Sequence, residues 1–147
     1  MHEVRTEIEI EATPERVCSI LLNFSEHAQW NPFVRSIQGV ANAGERLTVF
    51  IQPPGSKGMT FRPTVLVVTP NHELRWRGRF LLPGIFDGEH YFQIVPLAPS
   101  RVKVVHGERF SGVLVPFAKL SLDGRTRAGF VAMNEALKTR AEGSTIS

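Results

Sequence analysis

FDGEHYFQIVPLAPSRVKVVHGERFSG, residues 86–112, reads as two strands and a turn. One face of the first strand carries Phe86, Gly88, His90, Phe92 and Ile94. The matching face of the second carries Val102, Val104, His106, Glu108 and Phe110. The opposite faces hold Glu89, Tyr91, Gln93, Lys103 and Arg109, mostly wettable, so the alternation turns the His/Glu strip inward. Taking 96–100 as the connection sets Val95 against Arg101. His90 then faces His106, Gly88 faces Glu108 and Phe86 faces Phe110, with opposed Cβ atoms about 4.5–5.5 Å apart. A one-residue bulge would undo this for the residues beyond it. An ionised Glu is expensive to bury alone. Glu108 therefore requires a His partner, a water-filled cavity or a raised pKa. Such a strip suits the wall of a cavity better than a filled core.

Working outward, Leu74, Trp76, Gly78 and Phe80 share one face of the preceding strand, and Arg75, Arg77 and Arg79 form a solvated comb on the other. Strands are predicted over about 34–40, 46–52, 60–69 and 73–81, punctuated by turn-forming stretches at 42–45, 53–58 and 70–73. At the N-terminus Val4, Thr6, Ile8 and Ile10 alternate with charged residues, a strand with one wet face. Thr13 then caps a helix that Pro14 opens and Glu15 favours, running to about Leu22 and burying Val17, Ile20 and Leu21. Ser25 opens a second short helix, and Asn31 must leave helical geometry because Pro32 follows. Beyond Gly112 the apolar period changes, and Leu114 to Leu137 fit one helix of about 25 residues. Gly124 and Gly129 inside it mark a bend or close packing.

The expected fold is therefore α+β. A curved antiparallel sheet of about seven strands wraps on a long C-terminal helix, and two short helices follow the first strand. The 147 residues favour one domain over 1–147. The formal charge of +3 is a weak basic bias without a dense patch, which argues against a nucleic-acid partner. The one cysteine, Cys18, excludes an intramolecular disulfide and reads as a small buried hydrophobe. No stretch approaches the roughly 18 apolar residues of a membrane span, and the N-terminus has no apolar signal core. A cytoplasmic protein is the default expectation.

The element order resembles the helix-grip fold of the START-related, or SRPBCC, superfamily. The motifs TrpAsnProPhe (30–33), LeuArgTrpArgGly (74–78), 82–92 and HisGlyGluArgPheSerGly (106–112) are similar to a bacterial polyketide cyclase/dehydrase-like branch. The resemblance covers about residues 2–140 and implies a ligand cavity under the terminal helix. It carries over no catalytic set, because the superfamily includes carriers, receptors, cyclases and chaperone activators.

His90, His106 and Glu108 are the candidate catalytic residues, and three readings of them stay open. They form a structural network, they orient a ligand, or they act as an acid–base pair. Trp76, Phe80, Phe92 and Phe110 are suited to walling an apolar pocket. Trp30 and Phe33 seat the short helices near it, while Phe117 and Leu120 are placed to close its mouth. The loop 53–58 could act as a flap. Two His and a carboxylate could form a metal triad, but the spacing arises only through strand pairing, so no metal and no cofactor are expected. The expected partner is a small hydrophobic molecule with a polar handle. A cyclase/dehydratase-type enzyme and a non-catalytic interaction domain are the alternatives, and the sequence leaves monomer or homodimer undecided.

Overall fold

The computed structural model describes residues 1–80 and 82–143, with the side chain of Phe80 outside the described part. In chain order the elements begin with β1 (His2–Ile10), α1 (Pro14–Leu22), a 3-10 turn (Phe24–Glu26) and α2 (His27–Trp30). There follow β2 (Val34–Gln38), β3 (Thr48–Ile51), β4 (Met59–Phe61), β5 (Thr64–Thr69) and β6 (Glu73–Phe80). Next come β7 (Phe86–Ala98), β8 (Arg101–Ser111), α3 (Val115–Ser121), a π-turn (Leu122–Thr126) and α4 (Arg127–Gly143).

The strands form a five-stranded antiparallel sheet, β1-β8-β7-β6-β5, and a three-stranded one, β2-β3-β4. The expected strand over 60–69 is two strands in different sheets. Pro63 has no N–H to continue a ladder, and its carbonyl instead accepts from Leu47 N–H at 2.9 Å. That bond and Val65 N–H to Glu45 O, 2.8 Å, join the two sheets around one curve. The described strands number eight in two sheets, in keeping with the expected α+β fold of about seven.

The β7–β8 hairpin keeps the expected faces with a corrected register. His90 pairs with Glu108, Phe92 with His106 and Gly88 with Phe110. The connection is a tight turn at Pro99 and Ser100, with an irregularity between Pro96 and Ala98, rather than a five-residue loop. The offset is two residues, and side chains alternate with period two, so every inward residue stays inward.

Thr13 caps α1, its hydroxyl accepting Arg16 N–H at 3.1 Å, and α1 buries Val17, Ile20 and Leu21. Cys18 is half-buried and its Sγ accepts Asn71 N–H at 3.2 Å. The turn at 30–33 is set by His27 and Asn31. Asn31 Oδ1 accepts the Phe33 and Val34 N–H groups at 2.9 Å each, while its amide donates to His27 Nδ1 at 3.0 Å. His27 Nε2–H in turn donates to Leu21 O at 2.8 Å.

The C-terminal helix lies across the concave side of the larger sheet and is interrupted where Gly124 sits, in the π-turn. Gly129 is a close-packing site: a Cβ there would collide with the Phe33 ring. The outer face of the sheet is less solvated than a bare arginine comb. Arg75 bonds Glu73 at 2.8 Å, reaches Glu89 at 3.5 Å and lies 4.8 Å over the Tyr91 ring.

Candidate functional site

A cavity of about 390 Å³ lies between the two sheets and the α3/π-turn segment. This is within the roughly 300–1,000 Å³ usual for small-molecule sites. Its buried end is walled by Phe33, Val34, Trp76, His90, Glu108 and Phe110. Its rim carries Ser56 and Lys57 of the 53–58 loop on one side and Ser121 and Thr126 on the other. The walls are mainly apolar, and the carboxyl of Glu108 stands at the deep end.

Glu108 is the cavity end of a continuous polar chain. Its Oε1 is 3.1 Å from His90 Nδ1, and His90 Nε2 is 2.8 Å from His106 Nε2. His106 Nδ1 is 2.8 Å from Asn134 Oδ1, and the Asn134 amide donates to Thr6 Oγ at 2.8 Å. The Thr6 hydroxyl donates to His106 O at 2.7 Å. β1, β7, β8 and α4 each contribute to it.

The far end fixes the direction of each bond as far as His90 Nε2. A carbonyl cannot donate, so Thr6 spends its one hydrogen on His106 O and can only accept from Asn134. Asn134 must then turn its NH2 to Thr6 and its oxygen to His106. His106 Nδ1 therefore carries the hydrogen, and a neutral ring leaves Nε2 as acceptor. His90 must donate from Nε2, and a neutral His90 accepts at Nδ1. The remaining hydrogen belongs to Glu108 Oε1.

Burial favours this uncharged arrangement. It pushes Glu108 up to about 8 and His90 down to about 3. Burial and the neighbouring His90 hold His106 well below the ordinary histidine range. Aromatic rings exclude water from the imidazoles. His106 stacks between Phe92 (4.4 Å) and Phe130 (4.3 Å), and His90 stacks on Trp76 (5.1 Å).

The sequence-predicted residues divide by position. Phe33, Trp76, His90, Glu108 and Phe110 line the cavity. Phe92 and His106 lie beneath it, both fully buried. Trp30 is not on the wall; it packs on His27 at 4.9 Å, with its indole N–H buried and unpartnered. Phe117 and Leu120 do not close the mouth, being 86% and 92% exposed. α3 turns Val115 and Ala118 inward, and the π-turn continues that face with Leu122, spaced i, i+3, i+7, which puts 117 and 120 on the opposite face. The Phe80 side chain lies outside the described residues. Asn134 and Thr6, missed from the sequence, complete the polar chain. Thr6 was visible as the one hydroxyl on the inward face of β1, whereas nothing in the sequence separated Asn134 from a surface residue.

Among the described residues no group of three His, Cys, Asp or Glu side chains is placed to hold a metal ion. No helix among them is long and apolar enough to cross a membrane.

The fold is helix-grip-like and encloses an internal cavity. Residues 1–142 match the family described as polyketide cyclase / dehydrase and lipid transport, and the chain belongs to that family. A START superfamily protein from Mycobacterium smegmatis is similar at 21% identity and TM-score 0.77, with 97% of this chain and 98% of that one covered. The Zhui aromatase/cyclase from Streptomyces sp. R1128 is similar at 14% identity and TM-score 0.78, with coverage of 96% and 93%. Norcoclaurine synthase from Thalictrum flavum, solved with dopamine and hydroxybenzaldehyde, is similar at 13% and 0.73, with coverage of 99% and 89%. These identities are low, so the likeness is one of fold. No functionally curated protein matches the sequence.

Proposed function

We propose that the protein binds a small, mainly hydrophobic molecule in the 390 Å³ cavity, with its polar group against Glu108. The observation that carries this reading is the pairing of mainly apolar walls with one largely buried acid among the lining residues. Aromatic walls supply the apolar contact area, and a few convergent polar groups supply orientation. Family membership supports a small-molecule ligand, and proteins of the same fold include an aromatase/cyclase and a norcoclaurine synthase that holds dopamine and hydroxybenzaldehyde. The test is native mass spectrometry of protein purified from its source, together with Nile red fluorescence titration of the emptied protein. A co-purifying mass that Nile red displaces is expected. Repeated preparations without a ligand and without Nile red uptake would overturn the reading.

A second reading, enzymatic proton transfer, is favoured by the same polar chain. A carboxyl that accepts a proton at Oε2 can pass its own from Oε1 to His90, the arrangement a bifunctional acid–base group needs. Glu108→Gln separates the two. The amide retains hydrogen bonding but transfers no proton, so a carrier keeps its ligand affinity, whereas an enzyme loses turnover while still binding.

A further inference from the structure

We infer that the cavity selects ligands whose handle is a neutral hydrogen-bond donor, a hydroxyl or N–H, and discriminates against carboxylates and bare ethers. This rests on the cavity being a ligand site, and it names the chemistry of what that site takes.

The argument follows the polarity of the buried chain. Counting hydrogens inward from Thr6 puts His90 Nε2–H toward His106, and a buried, neutral His90 then accepts at Nδ1 from Glu108 Oε1. The acid's one hydrogen is therefore committed. What it turns to the cavity is Oε2, the carbonyl-like oxygen, which accepts and cannot donate. No donor among the described residues bonds Oε2. It lies over Gly88, the residue whose missing side chain leaves room for it. Both nitrogens of His90, the other polar side chain at the deep end, are already engaged. The deep end of the cavity thus offers one open site, and that site is an acceptor.

The consequences for ligand class follow from pairing rules. A hydroxyl or N–H completes Oε2. An ether or ester oxygen brings acceptor against acceptor and leaves both unpaired, which is costly in an enclosed site. A carboxylate does the same and also carries a charge into apolar walls. Among the described lining residues the cation is Lys57, which is exposed on the 53–58 loop and stays hydrated there rather than paired at Glu108. Ser56, Ser121 and Thr126 share the rim, so polar groups there impose no rule on the handle.

Three naphthalenes of matched shape test this: 2-naphthol, 2-methoxynaphthalene and 2-naphthoate, titrated calorimetrically at pH 7. The naphthol should bind roughly tenfold tighter than the methyl ether, the size of one buried hydrogen bond, and the naphthoate weakest. Glu108→Gln should keep this order, because its NH2 replaces the acid hydroxyl toward His90 and its oxygen stands where Oε2 does. Glu108→Leu should erase the difference between naphthol and ether. Naphthol and ether binding alike to the native protein, or naphthoate binding tightest, would overturn the inference while leaving the cavity reading intact. Loss of the naphthol preference in a folded Glu108→Gln protein would also overturn it, since that outcome requires an ionised Glu108. Failure of all three compounds to bind would instead overturn the cavity reading on which it stands.

Discussion

Gly88 and Glu108 are fitted to one another across the β7–β8 ladder: the Glu108 carboxyl occupies the space that a side chain on residue 88 would fill. Gly88 pairs with Phe110, one inward position beyond the His90–Glu108 pair, so its bare Cα lies diagonal to Glu108. A glycine inside a strand usually weakens it. Here it seats an acid where His90 can hold it.

Gly88→Ala therefore evicts the carboxyl rather than the backbone, because the colliding atoms are the end of a flexible side chain. Stability should change by no more than about 1–2 kcal/mol, the scale of one lost hydrogen bond. Glu108, displaced from its buried seat, should return toward the ordinary carboxylate range. Carbonyl infrared difference spectra would report this: the protonated-acid band expected at pH 7 in the native protein should be absent from the variant. Persistence of that band would show that Gly88 does not position Glu108.

Stability against pH should be bell-shaped with its maximum near 6.5. Three histidines are held below their ordinary value: His27 to about 4 and His90 to about 3 by burial, and His106 well below it. Each is neutral when folded and takes up a proton on unfolding below pH 6.5, so stability falls as pH drops through that region. Glu108, raised to about 8, behaves oppositely. It is protonated when folded and releases its proton on unfolding above its ordinary 4.5, so stability falls as pH rises toward 8. Between 4.5 and 6.5 the three uptakes outweigh the one release. Above 6.5 only the release remains, a slope of about −1.4 kcal/mol per pH unit. Glu3, held low by the Tyr91 hydroxyl, and Glu142, held low by the Glu11 N–H, act only below about 4.5. Urea midpoints measured from pH 4 to 9 check the shape. Glu108→Gln should flatten the alkaline limb and steepen the acid limb above pH 4.5, where the release no longer offsets the histidine uptake, and an unchanged alkaline limb would remove Glu108 as its source.

How much of this was legible beforehand depended on the range of the interaction. Periodicity is local, and it placed the inward faces of β1, β7 and β8, the cap at Thr13 and the burial of α1. It also brought His90, His106 and Glu108 to one strip. Register is set by the turn, and the compact Pro99–Ser100 turn could not be told from a five-residue loop, so the partners shifted by two. The facing of α3 was lost because Leu114, Phe117 and Leu120 are apolar yet exposed, and a stripe drawn through apolar residues pointed the wrong way. Asn134 reaches His106 across 28 positions of sequence, a contact no local pattern carries.

Gly124 and Gly129 of the C-terminal helical segment should respond in opposite directions to alanine. At Gly124 an added Cβ meets nothing within 4 Å, so the helix-propensity gain of up to about 1 kcal/mol is expected in full. At Gly129 the Cβ collides with the Phe33 ring, which is itself held edge-on against Phe130 at 5.4 Å. Overpacking costs about 1–3 kcal/mol, so it outweighs the same propensity gain. Thermal melts should show Gly124→Ala at or above the native midpoint and Gly129→Ala below it. The reverse order would mean that α4 does not press on the 30–33 turn.

The hydrogen-bond direction along the buried chain is the premise most worth measuring directly. If Thr6 donates to His106 O, the two imidazoles must hold opposite tautomers: Nδ1–H at His106 and Nε2–H at His90. In water the Nε2–H form is the usual one, so the His106 assignment is not a default outcome. It follows because Asn134, forced by Thr6, offers only its oxygen. Nitrogen-15 shifts of the two rings at pH 7 distinguish the tautomers from each other and from imidazolium. We expect two neutral rings of opposite tautomer, unchanged down to about pH 5. Thr6→Val would release Asn134 to turn over, and His106 should then be free to exchange tautomers, at a stability cost of about 1–3 kcal/mol for the unsatisfied group. An imidazolium signal from His90 at pH 7 would place the shared proton on the ring rather than on Glu108. The carboxyl would then be ionised, both of its oxygens would be charged acceptors, and the alkaline fall in stability would have to arise from His90 instead.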